Sequence, residues 1–89
     1  MTKITHPKFA IVVVDRGFVY VGKMAMDAEH AHLSDARNIR RWGTATGLGQ
    51  LVLEGPQPNT ALDPCGSVMI PCRAIISIHA TEPKLWNKS

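Results

Sequence analysis

The sequence predicts an all-β fold: five to six short strands curled into one small barrel, a single domain over residues 1–89. Three observations carry this. Runs of β-branched and aromatic residues recur, as in Phe9-Ala10-Ile11-Val12-Val13-Val14 and Arg73-Ala74-Ile75-Ile76-Ser77-Ile78-His79-Ala80. Turn-forming residues stand between the runs, notably Asp15-Arg16-Gly17 and Gly55-Pro56-Gln57-Pro58-Asn59-Thr60. A chain of 89 residues also buries only a thin core, which a tightly curved sheet fills well and which pairing with further copies helps to complete. A homo-oligomer is therefore expected.

The elements follow in order. Phe9 to Val14 reads as the first strand. Asp15-Arg16-Gly17 is a tight turn, with Gly17 supplying the positive φ that a hairpin needs. Phe18 to Met24 is the return strand, and its Gly22 marks a bulge or sharp bend. Met26 to Glu29 is a turn. His30 to Ser34 suits a third strand, and Asp35 to Trp42 reads as its continuation, because Ile39 and Trp42 build no helical face. Gly49 to Glu54 reads as a fourth strand. Gly55 to Thr60 is loop chemistry, and Leu62 to Gly66 adds a second turn. Ser67 to Cys72 is a fifth strand, which Pro71 ends or places on an edge. Arg73 to Ala80 is the last strong strand. Residues 81–89 form a polar tail with Leu85 and Trp86 as anchors.

Composition excludes several classes. Hydrophobic residues make up 45% of the chain, which fits a globular domain and not a disordered one. The net charge of +3 attracts anions mildly and falls short of a nucleic-acid-coating protein. Two cysteines, Cys65 and Cys72, are too few for a secreted disulfide scaffold. The opening Met1 to Pro7 has no apolar leader, and no apolar run reaches the ~20 residues of a membrane helix. A cytoplasmic protein without a membrane partner is expected.

The segment Arg37-Asn38-Ile39-Arg40-Arg41-Trp42-Gly43-Thr44-Ala45-Thr46-Gly47-Leu48-Gly49-Gln50 carries the functional signal. No acidic residue falls between Asp35 and Glu54. Guanidinium forks suit phosphate, an indole suits a base, and glycines let backbone N–H groups come close to a ligand. Arg37, Asn38, Arg40, Arg41, Trp42, Thr44 and Thr46 are the expected ligand-binding residues, with Arg73 as a further cation. In an extended segment Arg37 and Arg41 share one face while Arg40 and Trp42 share the other, so the site is expected to be completed by another subunit. The glycine run lacks the Gly-Lys-Ser/Thr ending of a phosphate-binding loop, and no cofactor is expected. His30 and His32 lie on one strand face, yet too few ligands stand near them in sequence, so no metal is expected either. No paired acids or nucleophile signature can be read, which argues against an enzyme.

Two resemblances follow from these residues. Asp15-Arg16-Gly17-Phe18-Val19-Tyr20-Val21-Gly22-Lys23 resembles the opening motif of Sm-like (Hfq-like) small barrels. Ser67-Val68-Met69-Ile70-Pro71-Cys72-Arg73-Ala74-Ile75-Ile76-Ser77-Ile78 resembles their closing motif, where a bend joins the last two strands. The implied fold is a barrel of SH3-like or Sm-like type. Arg37 to Gly66 departs from that pattern as a long insertion, so the family's RNA-contacting residues are not carried over. Separately, Asn38-Ile39-Arg40-Arg41-Trp42-Gly43-Thr44, Gly47-Leu48-Gly49, Gly55-Pro56 and Leu62-Asp63-Pro64-Cys65-Gly66 are similar to motifs of small uncharacterised phage and prophage proteins. That resemblance implies phage origin and a place in the host cell cytoplasm, where small phage proteins counter host defences by binding one molecule.

The leading expectation is thus a non-enzymatic anti-defence sponge that sequesters a small nucleotide-type ligand, such as a host immune signal. The alternatives are an Sm-like ring that binds single-stranded RNA and a small module that inhibits a host protein.

Overall fold

A computed structural model describes residues 7–86 of the chain. Phe9–Val14 forms strand β1 and runs antiparallel to Val19–Met26, strand β2, with Phe9 opposite Lys23 and Val13 opposite Val19. The β-branched content of both segments favours this pairing. The reversal between them is a 3-10 turn, Asp15–Gly17, in which Arg16 and Gly17 take φ of 67° and 84°. Strand β3, His30–Arg41, pairs with β2, and strand β4, Ala61–Pro71, pairs with β3. Strand β5, Ile75–Ala80, returns to the free side of β1. One antiparallel sheet results, in the order β4-β3-β2-β1-β5. The domain is mostly β, as the sequence implies, and its two sheet edges are β4 and β5.

Each face of the sheet carries its own hydrophobic cluster. On one face Phe9, Ile11, Val19, Val21 and Ile39 pack with Leu51 and Trp86. The helices α1 (Leu48–Glu54) and α2 (Pro83–Trp86), which supply Leu51 and Trp86, therefore cover this face. On the other face Ala10, Val12, Met24, Ala31, Leu33, Ala36 and Ile70 pack together. Alternate residues of β1 thus divide between two cores, as the two-residue period of a strand requires.

A bulge in β3 decides which residues reach which face. Val21 lies opposite Arg37 but Lys23 lies opposite Ser34, so one β2 residue, Gly22, faces both Asp35 and Ala36. The extra residue reverses the alternation of β3. Leu33 and Ala36 therefore point to the same core, and Arg37 and Ile39 turn to the helix-covered face. Gly22 is required here: a Cβ would stand 3.0 Å from the Ser34 carbonyl oxygen and 3.1 Å from Ala36 Cα. Asp35 takes a φ of 50°, which Asp tolerates better than most residues.

The structure corrects the sequence in three places. Gly49 to Glu54, expected as a fourth strand, lies in helix α1. Leu48, Leu51 and Val52 recur at helical spacing and all pack into the first cluster, and this tertiary burial overrides the strand propensity of Leu-Val-Leu. Gly55, with φ 81°, ends the helix and donates its N–H to the Leu51 oxygen at 2.9 Å. Leu62 to Gly66, expected as a turn, is instead the first half of the 11-residue β4. Pro64 is tolerated there because β4 is an edge strand with no neighbour on its outer side. Finally, the segment expected as a polar tail carries the short helix α2, in which the expected anchors Leu85 and Trp86 pack into the first cluster; residues 87–89 lie outside the described residues.

Candidate functional site

Within one subunit the expected ligand-binding residues point to different parts of the surface. Arg37 points to the helix-covered face, where its Nη2 donates to the Trp86 carbonyl at 2.7 Å and its guanidinium carbon lies 6.0 Å from the Trp86 ring centroid. Asn38 shares the opposite face with Tyr20 and donates its side-chain N–H to the Val19 oxygen. Arg40 is engaged by Asp63 of β4 through a 2.8 Å bond from Nε, which holds the guanidinium still more firmly protonated. Arg41 ends β3 on the surface. Trp42 is 40% exposed, and its carbonyl accepts a 2.6 Å bond from the Thr60 hydroxyl.

The glycine- and threonine-rich loop is occupied by its own chain. The Gln50 side-chain oxygen accepts bonds from the Ala45 and Thr46 N–H groups at 2.9 and 3.2 Å, and a third from the Thr46 hydroxyl. Thr44 lies half-buried in the same loop. The donors that were expected to meet a phosphate thus converge on an internal amide oxygen. Of the expected residues, Arg37 and Arg73 each line a groove.

Arg37 lines an open groove of about 560 Å³ together with Phe9, Lys23, Asp35, Pro64 and Trp86. Its geometry follows from the strand register. Phe9 is opposite Lys23, Val21 is opposite Arg37, and Val21 and Lys23 are two apart on β2, so all project to one face. Phe9 and Trp86 are buried to 8% and 0% exposure, so they form an apolar floor and not an open stacking platform. Trp86 is fixed further by its indole N–H, which donates to the Thr81 hydroxyl at 3.1 Å. At the rim Lys23 Nζ stands 3.6 Å from a carboxylate oxygen of Asp35, with both side chains largely in water. Two cations and one carboxylate therefore surround an apolar base. Lys23, Asp35 and Phe9 carried no signal as site residues in the sequence. Each reads as an ordinary strand residue, and only the pairing of three strands brings them together.

Arg73 lines a second groove, also about 560 Å³, with Ala28, Glu29, His30, Pro71 and Cys72. It lies between two turns that are tied by the Cys72 N–H to the Glu29 oxygen at 2.8 Å. The first turn is organised by Asp27. One of its carboxylate oxygens accepts the Glu29 and His30 N–H groups, both at 2.8 Å, and the other bonds His32 Nε2 at 2.7 Å. The His32 bond and then the two backbone N–H groups hold the Asp27 carboxyl far below the usual carboxylate range. His30 and His32 do share a face, with ring centroids 6.1 Å apart. Among the described residues no group of three His, Cys, Asp or Glu side chains is placed to hold a metal ion. Nor is any helix among them long and apolar enough to cross a membrane.

Comparison with protein-family models, with curated proteins and with solved structures gives no match to this chain.

Proposed function

We propose that this protein is a non-enzymatic binder that sequesters a small nucleotide-type ligand in the groove between Lys23, Arg37 and Trp86. One observation carries the reading: strand pairing places two cations beside an apolar floor in an open groove of about 560 Å³, a size within the range of small-molecule sites. Lys23 and Arg37 receive the phosphate, Arg37 being oriented by its bond to the Trp86 carbonyl. Pro64 and the accessible edge of Phe9 receive the less polar part of the ligand. The phage resemblance of Asn38 to Thr44 and Leu62 to Gly66 supports an anti-defence sponge acting in the host cytoplasm. The edges of β4 and β5 support the finer fold reading, in which copies of a small barrel pair edge to edge.

Calorimetric titration with mononucleotides and cyclic nucleotides tests this. The expected result is saturable binding of at least one of them, weakened about tenfold or more by Lys23→Ala, as loss of one charge-assisted contact implies. Circular dichroism should report an unchanged fold, since Lys23 is largely exposed. Absence of binding to every nucleotide at about 100 μM protein would overturn the proposal.

A second reading, a ring that binds single-stranded RNA, is supported by the other groove. There a 3-10 bend, Cys72–Ala74, joins the last two strands and brings Arg73 beside His30. That reading requires affinity that rises with oligonucleotide length and falls steeply with salt, and a loss of both trends in Arg73→Ala.

A further inference from the structure

The groove at Lys23 and Arg37 carries a carboxylate that a simple phosphate site would omit. Asp35 sits on its rim, at the bulge of β3 and at a φ of 50°. Its partner is Lys23, at 3.6 Å and with both side chains mostly in solvent. Such an exposed pair stabilises a fold very little, while a positive φ is costly for any residue but Gly and is borne best by Asn and Asp. Folding alone therefore does not call for a carboxylate there.

The charge balance of the groove gives it a role. Lys23 and Arg37 supply two positive charges against the single negative charge of Asp35, enough to attract one phosphate group but not two. A second phosphate on the same ligand would find no third cation among the described lining residues and would meet the Asp35 carboxylate. A neutral diol, by contrast, offers two hydroxyl donors to a carboxylate acceptor. The same division is used by nucleotide-binding folds in which an acidic residue bonds the ribose hydroxyls and disfavours a 2′-phosphate.

We infer that Asp35 sets the ligand class of the groove: a ribonucleotide with a single phosphate end and a free ribose diol, with forms phosphorylated on that diol turned away. The inference rests on the nucleotide reading of the same groove. Its specificity element is repulsive as well as attractive, which is how sites discriminate between ligands that share most of their contacts.

The test uses the full chain and calorimetry with the four ribonucleoside 5′-monophosphates. The 2′-deoxy and the 2′-phosphorylated form of whichever binds are then measured at the same ionic strength. The unmodified protein should bind the ribonucleotide about tenfold more tightly than its 2′-phosphorylated form, and more tightly than its 2′-deoxy form. Asp35→Asn keeps a residue suited to positive φ and should narrow the first ratio to about threefold or less. Because the variant also frees Lys23, the ratio is the readout and not the affinity itself. A ribonucleotide that binds without this discrimination, or with a ratio unchanged in Asp35→Asn, overturns the inference about Asp35 alone. Failure of all four monophosphates to bind overturns the inference about the ligand class, and the nucleotide reading falls with it only if the cyclic nucleotides fail to bind as well.

Discussion

The two grooves have the same volume and are built on opposite principles. The Lys23–Arg37 groove stands on paired strands and on Trp86, which belongs to the helix-covered hydrophobic cluster. The Arg73 groove stands on two turns at the paired ends of β3 and β4, tied to each other by the Cys72–Glu29 backbone bond, the first of them organised internally by the Asp27 carboxylate. Volume alone thus says little about a site. The first groove presents its cations from a rigid floor, which preserves their spacing, whereas the second presents them from turns, which are the more adaptable parts of a fold.

The comparison can be broken from either side, and the expected effects differ in size. Trp86→Ala removes the floor of the first groove together with the Thr81 bond, and should cost about 3–5 kcal/mol in a denaturant melt. Gly22→Val places a branched side chain against the Ser34 carbonyl at the bulge and should cost about 1–3 kcal/mol by the same measurement, with Arg37 displaced from the groove. Acid should separate the two grooves. The folded pKa of Asp27 is depressed, so its contribution to stability is present above its unfolded value of 3.8 and is lost as pH falls below it. Thermal melts between pH 2 and pH 6 should therefore show a small acid loss below pH 3.8, which Asp27→Asn removes. Arg40→Ala, which touches neither groove and removes an exposed pair with Asp63, should leave the denaturation midpoint unchanged.

Parts of this molecule were legible in the sequence and parts were not. The β1–β2 hairpin was, because its β-branched runs and Asp15-Arg16-Gly17 are local signals that need no knowledge of partners. The kink at Gly22 was legible for the same reason: a lone glycine in a strand marks a place where another backbone comes close. Helix α1 was not legible, because Leu51-Val52-Leu53 suits a strand as well as a helix and only contact with the core decides. The segment from Arg37 to Gln50 was only partly legible for a related reason. Its charges were visible, but their internal partners were not: Asp63 lies 23 residues from Arg40, and Trp86 lies 49 residues from Arg37. Gln50 was in plain view, yet its role as an internal acceptor for Ala45 and Thr46 appears only once the loop folds back on it.

The extra residue in β3 also has a consequence for how this chain can vary. It acts as a phase marker for the pleat. Removing one residue between Leu33 and Arg37 would shift the rest of the strand by half a period, sending Ile39 towards the wrong core and Arg37 away from Trp86. Adding one would do the same. Length at this point is therefore tightly constrained, and lineages of this chain should exchange the residue at 34 more readily than they gain or lose one between Leu33 and Arg37.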